Sequence, residues 1–139
     1  MIGIKILLEA GECNGFFDMA VQDHLGNILS DPKLHSGTNT VEFRCSLPNT
    51  LRFVLSGKDN RRDTVVDPIH GSIIQDKFVN VLDFYVDNKP LNVNKTKKLF
   101  TLHTEDDVKI KSSYWGFNGT VDLDMPYKNS FEFHLSNLV

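Results

Sequence analysis

Alanine is scarce in this sequence. Alanine, which helices accept at the lowest cost, occurs only at Ala10 and Ala20 in 139 residues. Asparagine, glycine, valine, phenylalanine and threonine are plentiful instead. Asn and Gly supply the positive-φ positions of tight turns, and β-branched and aromatic residues suit a half-buried pleated surface, so the composition points to an all-β chain. No apolar run approaches the roughly 18 residues of a membrane-spanning helix, and residues 1–9 are too short and too interrupted by charge for a secretory core. A charge excess is missing as well: 15 Lys and Arg face 18 Asp and Glu, leaving a net charge of -3. With no global positive field to gather phosphates or anionic lipid, neither nucleic acid nor membrane is expected as a partner.

Cysteine is reduced to Cys13 and Cys45, in neither CxxC nor zinc spacing. They read as buried thiols or as one bridge between a loop and a strand. His24, His35, His70, His103 and His134 share no zinc spacing. Nucleophile, P-loop and dinucleotide motifs are absent. A chain of this length builds one core and rarely a deep cleft as well. A single domain over residues 1–139 with no catalytic residues is therefore expected.

Alternation of apolar and polar residues recurs in short blocks, which is the mark of a half-buried strand. Residues 2–9 read as the first strand. Phe17, Met19 and Val21 follow, then a turn at His24-Leu25-Gly26-Asn27 leads to Ile28 and Leu29. Val41, Phe43 and Cys45 are separated by Leu47-Pro48-Asn49-Thr50 from Leu51, Phe53 and Leu55. A long central strand is predicted over 78–86 and a shorter one over 99–103. Val121, Leu123 and Met125, then Phe131, Phe133 and Leu135, form the last two. Roughly nine or ten strands with no helical run predict two packed antiparallel sheets, a β-sandwich of jelly-roll type. Its chemistry belongs on the end loops, 10–16, 56–78, 92–98 and 112–120.

Two constellations stand out there. Residues 56–67 are rich in Asp, Asn and Arg, with Asp76, Asp83 and Asp87 beyond. Carboxylates and amide oxygens converging from a loop and a strand suit calcium, which takes six to eight oxygen ligands. Asp59, Asn60 and Asp63 are the candidate ligands, and calcium is the one cofactor the pattern admits. The plainer alternative is that these carboxylates neutralise Lys58, Arg61 and Arg62, cap turns or face water. The second constellation is residues 112–120. Tyr114 and Trp115 can form a platform for a sugar ring, with Asn118 bonding its hydroxyls. Alternatively, Trp115 and Phe117 close one end of the core, as large aromatics usually do.

Residues 51–60, the Arg62-Asp63 pair and residues 79–88 resemble the second half of the calcium-dependent xylan-binding modules, in which a strand enters an Asn/Asp-rich loop and a V-x-V-D-Y-x-x-V-D-G strand returns. An insertion over residues 64–77 separates the pair from the returning strand here. The blocks at 9–19, 47–51, 63–67 and 114–119 resemble small β-sandwich proteins of tailed phages of marine and cyanobacterial hosts. That second resemblance implies phage origin, and the expectation built on it is a non-enzymatic virion protein, a capsid decoration or tail subunit that is oligomeric within an assembly, contacts other virion proteins and can also adhere to host glycan. The first implies a calcium-assisted polysaccharide-binding module.

Overall fold

The computed structural model describes residues 1–13, 15–59, 63–104 and 109–137. Along the chain come β1 (Ile2–Gly11), β2 (Asp18–Gln22), β3 (Ile28–Ser30), β4 (Gly37–Cys45) and β5 (Asn49–Ser56). The strands β6 (Thr64–Val66), β7 (Ile73–Asp76), β8 (Phe78–Val86) and β9 (Lys89–Leu91) follow. After the short helix α1 (Val93–Thr96) come β10 (Phe100–Thr104), β11 (Lys109–Lys111), β12 (Tyr114–Trp115), β13 (Gly119–Met125) and the helix α2 (Ser130–Ser136).

The strands form the two antiparallel sheets expected of a sandwich. One runs β12-β8-β1-β4, with β9 also on β8; the other runs β11-β10-β13-β5-β2-β3. Side-chain alternation decides which face turns inward. In β1 the even positions Ile2, Ile4, Ile6, Leu8 and Ala10 are buried, and in β5 the odd positions Leu51, Phe53 and Leu55. Aromatic rings close the space between the sheets. Phe53 lies 5.3 Å from Trp115 and Phe84 lies 6.1 Å from Phe100, each pair spanning from one sheet to the other. Cys13 and Cys45 are buried thiols, and burial pushes Cys45 up to about 11.

The long strand β8 keeps two phases. Val79 and Val81 are buried, and so are Phe84 and Val86. Leu7 faces Asp83 while Leu8 faces Val81, so Leu82 is an extra residue, a bulge that resets the alternation. That is why residues 78–86 read from sequence as apolar on both faces.

Phe131, Phe133 and Leu135, expected as a last strand, lie instead on α2. Asn129 caps this helix, its side chain accepting from the Glu132 N–H at 2.9 Å, with Glu132 in the first turn. Residues two apart on a helix diverge by about 200°. Hence only Phe133 enters the core, against Phe84 and Tyr127, while Phe131 and Leu135 remain exposed. The inserted residues after Asp63 form a hairpin of their own, β6 paired with β7, outside both sheets.

The end of β1 fits against the start of β8 only because Gly11 has no side chain. A Cβ there would sit 2.1 Å from the Phe78 ring and 2.8 Å from the Asp76 carbonyl oxygen. Gly11→Ala is expected to destabilise the protein by about 1–3 kcal/mol, the usual cost of forcing a methyl into packed structure. A shift of the urea midpoint measures it, and an unchanged midpoint contradicts the close packing of this corner.

Candidate functional site

Strand β5 ends at Ser56, and Gly57, at φ +94°, turns the chain in a conformation that glycine adopts without steric cost. Lys58 is thereby carried into the end of the sandwich. The reciprocal hydrogen bonds with Asn118 hold its backbone: the Lys58 N–H donates to Asn118 Oδ1 at 2.8 Å, and Asn118 Nδ2 donates to the Lys58 carbonyl at 2.6 Å. Lys58 Nζ then donates to Asp76 Oδ1 at 2.6 Å, the Gly116 carbonyl at 2.7 Å and the Lys77 carbonyl at 3.0 Å. An ammonium has three N–H donors, and each is matched to one oxygen.

Asp76 is the hub of this end. Besides Lys58, its Oδ1 accepts from the Thr64 hydroxyl at 2.7 Å, and its Oδ2 accepts from the Tyr114 hydroxyl at 2.9 Å. The hairpin, the loop after β5 and the edge strand β12 are thus joined through one carboxylate. Burial pushes the Asp76 carboxyl up, but the bonds from Lys58, Thr64 and Tyr114 and the charge of Lys58 outweigh it, holding the group below the usual aspartate range. Burial, then the bond to Asp76 and its charge, push the Tyr114 phenol up, so it stays protonated and donates.

A second lysine pair lies alongside. Lys77 Nζ is 3.1 Å from Asp63 Oδ2 and donates to the Gly57 carbonyl at 2.8 Å. The same Asp63 oxygen accepts from the Asp59 N–H at 2.7 Å. The side chains of Lys58, Lys77 and Asp63 are 3%, 4% and 1% exposed, so these are interior charges rather than solvated surface pairs.

Of the candidate metal ligands, Asp63 is buried against Lys77, Asp59 is exposed and linked to Asp63 through its backbone, and Asn60 lies outside the described residues. Asp83 and Asp87 stand elsewhere: Asp87 accepts from the Gly3 N–H at 2.8 Å, at the end of β8 opposite to Asp76. No group of three or more His, Cys, Asp or Glu placed to hold a metal occurs among the described residues. Of the candidate sugar contacts, Trp115 is fully buried against Phe53 and Phe100, with its indole N–H spent on the Ser112 carbonyl, so no sugar can stack on it. Asn118 clamps the Lys58 backbone. Tyr114 is 44% exposed and stacks on Phe78, with ring centroids 5.0 Å apart. Successive side chains of a strand point to opposite faces, so β12 buries Trp115 beside Val79 and turns Tyr114 out. Sequence reasoning missed Lys77. Its signal was parity, since it precedes Val79 and Val81 by even steps and so shares their inward phase.

No family model matches the chain, and no curated protein matches it. Two solved structures are similar. One is the selenomethionine form of vCBM60, described as linking two families of calcium-dependent carbohydrate-binding modules through circular permutation. It has a TM-score of 0.56 and 12% identity, over 89% of this chain and 91% of that one. The other is vCBM60 in complex with galactobiose, again with a TM-score of 0.56 and 12% identity, over 88% of this chain and 97% of that one. The likeness shows that the sandwich of this chain is one that carbohydrate-binding modules also use. Neither structure supports the phage resemblance.

Asp76→Asn leaves Lys58 buried without its counter-charge, and removing one partner of such a pair costs about 3–5 kcal/mol. Asp76 titrates below its ordinary value of 3.8. The stability it contributes is therefore whole above that pH and lost as pH falls through the lowered folded value. In urea denaturation the gap between wild type and Asp76→Asn is expected to be full at about pH 7 and to shrink below about pH 4. A gap that is independent of pH contradicts an ionised, lysine-paired Asp76.

Proposed function

We propose that this chain is a non-catalytic glycan-binding module whose contact surface is the end of the sandwich bearing Tyr114, Phe78 and the Asp59 loop. The observation that carries the reading is the fold likeness to carbohydrate-binding modules over nearly nine-tenths of the chain, one of them holding galactobiose. The chemistry of this end supports it. An exposed aromatic ring beside hydrogen-bonding groups offers the apolar face and polar handles that a sugar ring matches. Tyr114 provides that ring, kept in place by Phe78 on one side and by Asp76 at its hydroxyl. A site held rigid before the ligand arrives loses less entropy on binding.

Calcium held by Asp59, Asn60 and Asp63 is one form of this reading. The lysine contacts of Asp63 and Asp76 favour the form without added metal.

Affinity electrophoresis through gels containing soluble xylans, galactans and glucans tests the reading. Retention by at least one polysaccharide is expected, with Tyr114→Ala weakening it roughly tenfold, or about 1.4 kcal/mol. Tyr114→Phe keeps the ring and is expected to retain most of the binding. Migration unaffected by every polysaccharide overturns the function, and equal retention of wild type and Tyr114→Ala overturns the assigned surface.

A further inference from the structure

The similar modules are described as calcium-dependent. Calcium gathers six to eight oxygens at about 2.3–2.6 Å. Among the described residues, five of the oxygens that converge at this end of the sandwich already surround ammonium groups. Asp76 Oδ1 and the carbonyls of Gly116 and Lys77 lie 2.6, 2.7 and 3.0 Å from Lys58 Nζ. Asp63 Oδ2 and the Gly57 carbonyl lie 3.1 and 2.8 Å from Lys77 Nζ.

Both lysines are buried. Their charges cannot leave for solvent without undoing the contacts that fix the hairpin and the loop after β5. A divalent ion entering beside them meets two interior positive charges and carboxylates already bound by N–H groups. These residues, as they stand, do not fit calcium.

We infer that Lys58, seconded by Lys77, is the resident cation of this loop cluster: its ammonium holds Asp76 and two backbone carbonyls together, so neither the fold nor ligand binding at this end draws on calcium. A monovalent, covalently attached cation matches the site in number of donors and in charge. One lysine meets one carboxylate in each pair, and three N–H groups meet three oxygens at Lys58. The cluster is then organised at all times, whatever the calcium concentration around it. The role of the ammonium in the fold goes beyond the glycan reading, and only its consequence for ligand binding rests on that reading.

Thermal melting of the wild-type protein in a chelator and in millimolar calcium chloride, at matched ionic strength, together with calorimetric titration of calcium, tests this directly. An unchanged midpoint and no saturable heat are expected. A midpoint several degrees higher in calcium, or a saturable heat near one ion per chain, overturns the inference, because an ion that binds the native state must raise its stability. Lys58→Met is expected to melt several degrees below wild type in the chelator, and a midpoint equal to that of wild type overturns the role given to the ammonium. If that variant does not fold, the wild-type titration still decides. Glycan retention separates the two proposals. Retention that is abolished by chelator overturns this inference, whereas a protein that ignores calcium and retains no polysaccharide contradicts the proposed function and leaves this inference standing.

Discussion

An ion pair between a buried lysine and a largely buried aspartate organises the loop end of this sandwich. Lys58 and Asp76 come from segments with no reason of their own to meet, the turn after β5 and the last residue of a hairpin that belongs to neither sheet. Taking both charges out of water is costly, and the cost is offset only where the remaining donors and acceptors are matched. Here the matching is complete for the lysine, whose three N–H groups find three oxygens. The carboxylate is also bonded by Thr64 and Tyr114. Such a network gives little stability compared with an apolar core, but it specifies one arrangement of the chain. At this end that arrangement sets where the aromatic ring of Tyr114 stands.

The sandwich beneath is what allows the pair to form. Alternation in β1, β4, β5 and β13 buries aliphatic and aromatic side chains between the sheets. The ring contacts of Phe53, Phe84, Phe100 and Trp115 knit the two layers together. Trp115 therefore acts through the core, and its neighbour Tyr114 acts at the surface. One two-residue strand thus links the packing of the interior to the chemistry of the loop end.

Much of this was legible in the sequence, for physical reasons. Period-2 alternation marks strands wherever one face is buried, and it located β1, β4, β5 and β13 closely. It misled at residues 131–135, where Phe-Glu-Phe-His-Leu alternates like a strand. A capping Asn129 with Glu132 three residues on is a helix-start signal, and it outweighs so short a pattern. The bulge at Leu82 was visible only as ambiguity, because an extra residue flips the phase without leaving a mark in composition. In the Tyr114-Trp115 pair one ring had to be inside and one outside, but which was which depended on the register with β8. The charges of the acidic run are set by long-range partners. Asp76 finds Lys58 across 18 residues, and Asp63 finds Lys77 through the folding of the hairpin. A local reading does not see these partners, because they are remote in sequence.

The claim that the Lys58–Asp76 pair acts as a unit is tested most directly by a double-mutant cycle of Lys58→Met and Asp76→Asn, read by urea denaturation at neutral pH. Residues coupled through one buried network show interaction energies up to about 3 kcal/mol, whereas independent sites add to within about 0.5 kcal/mol. A coupling above about 1.5 kcal/mol, with the double variant losing less than the sum of the two single losses, is expected. Losses that simply add would contradict it.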